Sequence, residues 1–398
     1  MLKITNVKTF IVDGGFRPWT FVKIETSDGT VGWGDCTDWG APKPIVAMVE
    51  RMAEAIIGRD PMQAEAIWWD LDTMSVRHTG GIAYKAMSGI DSALWDIRGK
   101  VLNAPVWQLL GGKLRDELRL YWSHFASVRA ATPGRPHRGE RYGLPRVETT
   151  EHLRELAEEA KRRGYTAVKT NLFELADRPD ADPVSLYQQG GDLPAATRRN
   201  AEAIIGTLRE AFGPDTGIAL DVAFRFRLGG AIKLAQALEP YDLMWLEVET
   251  FDPDALRMIR DATHTTICTG ESLFGMLGFK PYLERHAQDI IMPDLAWNGI
   301  SMGKKIADMA HAYDVLCAFH NCHSPLTTLV TANVAATIPN FFICEIDEDD
   351  PPWRDDLLTH PFEIRNGHLQ LPTRPGLGSD LIEEQLLKYP AVDYPGAR

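Results

Sequence analysis

Three acidic residues each close an apolar run, and the runs recur at the interval of one strand plus one helix. Asp221 follows Gly217-Ile-Ala-Leu, Glu247 follows Leu243-Met-Trp-Leu, and Glu271 follows Thr266-Ile-Cys-Thr-Gly. The separations are 26 and 24 positions, each enough for one helix and two short loops. In a parallel barrel such residues converge at the C-terminal mouth of the strands. Three like charges there repel unless a divalent cation sits between them, and an all-oxygen ligand set favours magnesium over zinc. Asp221, Glu247 and Glu271 are therefore the candidate metal ligands, and Mg²⁺ the expected cofactor.

The rest of the chain carries the same period. Candidate strands fall at 118–123, 166–171, 217–222, 243–248, 265–270, 289–293, 315–319 and 341–346, with helical patterns at 151–163, 195–212, 230–238, 253–262, 278–286 and 300–312. Eight strands in βα alternation predict an α/β fold, a TIM-type (β/α)7β barrel. Ahead of it, strands at 3–12, 20–27 and 31–36, with a Ser27-Asp-Gly-Thr30 turn, and helices at 43–57, 61–72 and 81–99 read as a separate α+β unit. The expected division is an α+β capping domain over 1–116, the barrel with the active site over 117–350, and a C-terminal segment, 351–398, packing back on the capping domain. Residues 130–145, rich in Pro, Gly and Arg, read as a long loop near the mouth.

With 398 residues the chain has room for both units. A net charge of −13 argues against nucleic acid as a partner, and no run approaches the roughly 20 apolar residues of a membrane span. The N-terminal residues lack the apolar core of a signal peptide, so a cytoplasmic location is expected. Five cysteines, with no Cys-x-x-Cys pair and several inside apolar runs, read as reduced core residues.

The remaining strand ends also carry reactive groups: Lys169-Thr-Asn171 on the second strand, Asp294 on the sixth, His320 on the seventh and Glu345 on the eighth. By strand alternation Lys169 and Asn171 share a face. The ordered set Lys169-x-Asn171, Asp221, Glu247, Gly270-Glu271-Ser272, Asp294, His320 and Glu345, preceded by an α+β domain, resembles the enolase superfamily, and within it the mandelate racemase subgroup. The resemblance implies that Asp221, Glu247 and Glu271 bind Mg²⁺ and that His320 is an acid/base catalyst oriented by Asp294. It also implies that Glu345 donates to or stabilises a substrate carboxylate oxygen. The shared step of that superfamily is removal of the proton alpha to a carboxylate. Such a proton is so weakly acidic that the resulting charge must be stabilised by a Lewis acid and further donors, and a base near neutral pKa must take it.

One position departs from the pattern. Racemases of the subgroup carry Lys-x-Lys on the second strand, whereas the second lysine is Asn171 here, and an amide cannot accept a proton from carbon. With one histidine the expected chemistry is loss of water from an aldonic or aldaric acid, giving a 2-keto-3-deoxy acid, with Lys169 available for a second catalytic role. The alternatives are a racemase, epimerase or cycloisomerase using the same enolate, or a metal-binding barrel without catalysis. No lysine stands beside Asp294, unlike the cycloisomerase and dipeptide-epimerase branch, and Ala223 stands where some sugar-acid dehydratases carry histidine. The expected partner is a small-molecule carboxylate, an acid sugar, and a homo-oligomer is expected.

Outside this set, Arg17 and Trp19 flank Pro18 in the loop between the first two strands, a loop that closes over substrate in the resembling family; both are substrate-binding candidates or else ordinary loop residues. Asn171 is a third candidate. Arg225, at strand parity with Asp221, either touches substrate or forms a surface salt bridge. Cys322 and His323 read as structural, and Asp347 to Asp350 as a solvated loop.

Overall fold

The structure, a computed structural model, describes residues 2–78, 80–130, 139–178 and 192–391. An antiparallel meander comes first: β1 (Ile4–Asp13), β2 (Pro18–Thr26) and β3 (Val31–Asp35). Asp28 tightens its second turn, Oδ1 accepting from Thr30 N at 3.0 Å. Helices α1 (Pro42–Ile56), α2 (Ala64–Ser75) and α3 (Gly81–Val101) and the single turn α4 (Val106–Leu109) complete the unit.

Eight parallel strands follow: β4 (Glu117–Trp122), β5 (Ala167–Asn171), β6 (Gly217–Asp221), β7 (Trp245–Glu247), β8 (Ile267–Thr269), β9 (Ile290–Ile291), β10 (Leu316–Phe319) and β11 (Phe341–Ile346). Each pairs with the next, and β11 pairs with β4 to close the barrel. The helices between them are α5 (Thr150–Arg162), α6 (Ala195–Phe212), α7 (Leu228–Leu238), α8 (Pro253–Asp261), α9 (Gly275–Glu284), α10 (Leu295–Ala312) and α11 (Pro325–Ala335). The fold is the capped (β/α)7β barrel the strand pattern predicts.

Tyr121, Ala167, Ala219, Trp245, Cys268, Ile290, Met292, Ala318 and Ile343 fill the barrel interior. The alanines leave room for Trp245 and Tyr121, whose rings meet edge to face at 5.2 Å. Because side chains alternate along a strand, the next inward position above this layer is two residues on. That position is Lys169 after Ala167, Asp221 after Ala219, Glu247 after Trp245, Asp294 after Met292, His320 after Ala318 and Glu345 after Ile343. The packed layer is thus the floor on which the site stands. Glu271 breaks the parity, three residues after Cys268. Gly270 absorbs the extra step with φ of 115°, and a Cβ there would lie 2.9 Å from the Phe279 ring.

Two elements differ from the sequence reading. The segment after β10 forms α11, capped by Ser324, whose hydroxyl accepts from Leu326 N and Thr327 N; its Thr-rich, evenly apolar sequence has little helical periodicity because it is buried all round. The C-terminal segment carries elements of its own that the sequence reading did not give. Its strands β12 (Ile364–Arg365) and β13 (His368–Gln370) form a hairpin, β13 running antiparallel to β4, and α12 (Glu383–Lys388) follows. It also touches the first unit, through Asp13 N to Tyr389 O at 2.7 Å and Lys23 to Glu383 at 2.7 Å. Of the loop read at 130–145, residues 131–138 lie outside the described residues. No helix among the described residues is long and apolar enough to cross a membrane.

The first unit seats on the barrel by specific bonds. Asp35 accepts from the Ser324 hydroxyl and from Thr327 Oγ1 at the start of α11, and Trp297 Nε1 in α10 donates to Thr37 O at 2.8 Å. The result brings the β1–β2 turn over the barrel mouth.

Candidate active site at the barrel mouth

Register sets two of the carboxylates side by side. Asp221 is the parallel partner of Glu247, and Asn171 of Asp221. Asn171 Nδ2 donates to Asp221 Oδ2 at 2.8 Å and its carbonyl accepts from Ser127 Oγ at 3.1 Å, so this amide orients one acid. Lys169 bridges Glu247 Oε2 at 3.0 Å and Glu345 Oε1 at 2.9 Å. Glu249, a residue absent from the sequence reading, lies buried two positions after Glu247. Its Oε1 accepts from Gly270 N at 2.6 Å and Thr269 Oγ1 at 2.9 Å, which fixes the backbone that presents Glu271.

The acids are short of positive charge. Burial, opposed by Lys169 and reinforced by Asp221, Glu271 and Glu345, pushes Glu247 well above the usual carboxylate range. Burial, opposed by His320 and reinforced by Asp221 and Glu249, pushes Glu271 up to about 7. Glu247 Oε1 is buried and has no hydrogen-bond partner among the described residues, a costly state for a carboxylate oxygen unless something else engages it. The orphaned oxygen and the all-oxygen donor set fit a hard divalent cation held by Asp221, Glu247 and Glu271.

Across from them, Asp294 serves two structures at once. Its Oδ1 caps α10, accepting from Trp297 N at 3.1 Å, while Oδ2 lies 2.5 Å from His320 Nδ1 and 2.6 Å from His323 Nε2. Despite complete burial, His323 and His320 hold Asp294 well below its ordinary value. His320 Nε2 is thereby turned toward the mouth, 3.1 Å from Glu271 Oε2 and 3.0 Å from Cys322 Sγ. Burial lowers the His320 pKa, but Cys322, Glu271, Glu345 and Asp294 together raise it well above the usual value.

Several expectations change here. Lys169 lies between two acids: burial disfavours its charge, yet Glu247 and Glu345 raise its pKa well above normal. Glu345 is buried, yet Lys169, His320, His124 and the Ser123 hydroxyl hold its pKa well below the usual carboxylate range. Cys322 and His323, read as structural, stand inside the site, and the parity of Cys322 with His320 was the available signal. Trp19 is a core residue of β2, 1% exposed, not a mouth residue; its bulk fills the space beside Gly14.

Arg17 does reach the mouth. Buried, it lies 4.0 Å from the Phe16 ring and 4.2 Å from the Trp39 ring, donating to Cys322 Sγ at 2.9 Å and to Asp347 Oδ2 at 3.3 Å. Asp347 also bonds His124 Nδ1 at 2.8 Å, and Asp349 pairs with Arg129 at 2.7 Å. The acidic stretch is therefore not a solvated loop at these two positions: each buried carboxylate has its cation. Arg225 is not a surface residue either. It is 4% exposed, with Nε and Nη1 unpartnered, and burial, only partly offset by Asp221, lowers its pKa to about 10.

Residues 12–111 match the N-terminal domain of the mandelate racemase / muconate lactonizing enzymes, and residues 152–385 match the enolase C-terminal domain-like family. Among characterised relatives, the D-xylonate dehydratase of Haloferax volcanii is 33% identical over 385 residues, spanning 95% of this chain and 87% of its own length. The D-galactonate dehydratase of Cronobacter sakazakii is 32% identical over 396 residues, 97% of this chain and 94% of its own. A solved structure from Burkholderia xenovorans strain LB400, described as an L-alanine-DL-glutamate epimerase bound to magnesium and fumarate, superimposes with a TM-score of 0.91 at 34% identity, covering 100% of this chain and 98% of the other. With acids on successive strands, a histidine–aspartate pair opposite and a cap above, both halves of the molecule place the chain in the mandelate racemase subgroup of the enolase superfamily.

Proposed function

We propose that the protein catalyses the Mg²⁺-dependent dehydration of an aldonic or aldaric acid to a 2-keto-3-deoxy acid. The observation that carries this reading is the asymmetry of the mouth: one imidazole nitrogen, His320 Nε2, faces it, while the second-strand position opposite holds an amide already bound to Asp221. One mobile proton carrier suits elimination better than exchange from two faces. The similarity to acid-sugar dehydratases of about one-third identity supports the substrate class.

Bound by Asp221, Glu247 and Glu271, Mg²⁺ supplies Lewis-acid stabilisation of charge on the substrate carboxylate. The chain does the rest. In its unprotonated form His320 Nε2 accepts the C2 proton, Asp294 holding Nδ1 and stabilising the imidazolium that results. The same imidazolium returns that proton to the C3 hydroxyl as the C3–O bond breaks, and water leaves. The enol so formed tautomerises by taking a solvent proton at C3 and releasing its C2 hydroxyl proton to solvent. Lys169 remains an ammonium throughout, a fixed positive charge between Glu247 and Glu345, and the arginine–aromatic stack of Phe16, Arg17 and Trp39 covers the mouth on the cap side.

A panel of acid sugars in D₂O, followed by proton NMR, tests this. A keto acid with deuterium at C3 is the expected product. A mixture of C2-epimeric acids without keto acid rejects dehydration in favour of epimerisation.

A further inference from the structure

His320, Cys322 and His323 present a second kind of donor set, beside the carboxylates and unlike them. One ring nitrogen from each histidine and the Cys322 sulfur lie within 4.8 Å of one another, all three side chains buried. Each imidazole has one nitrogen on Asp294 Oδ2, which leaves His320 Nε2 against the sulfur at 3.0 Å and His323 Nδ1 buried without a hydrogen-bond partner among the described residues. A carboxylate behind each ligating histidine is the arrangement that fixes imidazoles for a metal. Arg17, 2.9 Å from the sulfur, offsets the charge a thiolate brings.

We propose that these three residues form a second metal site, selective for a thiophilic cation such as Zn²⁺ over Mg²⁺, and that its occupation withdraws His320 from catalysis. Sulfur and imidazole favour zinc where an oxygen set favours magnesium, and three protein ligands leave the fourth tetrahedral position to water. Binding breaks the Cys322 S–H bond, the proton passing to solvent and the sulfur's electron pair to the metal. Only the inhibitory part rests on the dehydratase reading; the binding part rests on the ligand geometry.

The wild-type protein in excess Mg²⁺, given one equivalent of zinc, is examined by zinc-edge X-ray absorption. One sulfur at about 2.3 Å with nitrogens at about 2.0–2.1 Å is expected; a shell without sulfur overturns the site. Cobalt in place of zinc should give a thiolate-to-cobalt charge-transfer band that persists in Cys36→Ser and disappears in Cys322→Ser. Persistence of the band in Cys322→Ser overturns the assignment. With a competent acid sugar, saturating zinc should lower turnover by roughly 10²–10⁴-fold, the worth of an acid/base group. Full turnover in a protein whose zinc shell contains sulfur overturns the inhibitory role, whereas failure of every acid sugar counts against the dehydratase reading and leaves the spectra to decide the site.

Discussion

His320 and His323 share a single oxygen of Asp294, one through Nδ1 at 2.5 Å and the other through Nε2 at 2.6 Å. Neither ring can turn without releasing that oxygen, so the direction of His320 Nε2 is set by two imidazoles and one acid. His320→Asn should lower turnover by the roughly 10²–10⁴-fold typical of an acid/base group. Asp294→Asn, which can donate as well as accept at that position, should impair it through the wrong tautomer. Steady-state rates with the acid sugar that the wild type dehydrates check both; full activity in either variant counts against the pair.

The unpartnered Glu247 oxygen predicts a thermal signature for the metal. Mg²⁺ at about 100 times its Kd should stabilise the wild-type protein by about 2.7 kcal/mol. Glu247→Gln should lose both this increment and turnover while remaining folded. Calorimetry with and without chelator measures it, and an equal Mg²⁺ increment in the variant would move the ligand set elsewhere.

Asp91, in α3, makes stability depend on pH away from the site. Burial pushes it from 3.8 to about 6, against the Ser301 hydroxyl and amide that bond it. The folded protein therefore holds this proton more tightly than the unfolded chain. Its contribution is most favourable below about pH 4 and is lost as pH rises through about 6, a change of about 3 kcal/mol. Asp91→Asn should remove this component, so the difference in unfolding free energy between variant and wild type should grow in the variant's favour between pH 4 and 7. An unchanged difference across that range contradicts the shift.

Arg17→Ala strips the buried Asp347 of one of its two partners and empties the stack between Phe16 and Trp39. A loss of about 3 kcal/mol is expected, as for a broken buried pair, together with a raised KM. Arg17→Lys should recover little, because an ammonium cannot stack or reach both acceptors as a planar guanidinium does. Denaturant titration and substrate saturation curves separate the two effects.

The barrel was legible because its inner layer and its reactive layer sit two residues apart on nearly every strand, so strand parity alone brought Lys169, Asp221, Glu247, Asp294, His320 and Glu345 to one face. Charge states were not legible. Whether Lys169 is a base or a fixed cation depends on Glu247 and Glu345, which lie on other strands. Trp19 and the acidic stretch were misread for a related reason: exposure is a property of what packs above a segment, and Arg17, Arg129 and His124 come from distant positions to cover it. Helix α11 escaped notice because a helix buried on every side has no polar face to mark its period.

Arg17 reaches its acceptors on Cys322 and Asp347 across 305 and 330 positions of sequence. A growing chain makes Arg17 more than 300 residues before either acceptor, so these two bonds form only once the last barrel strands have been made. Until the eighth barrel strand has been made the contacts that seat Arg17 do not exist, and surface that the folded protein covers stays open to misassociation.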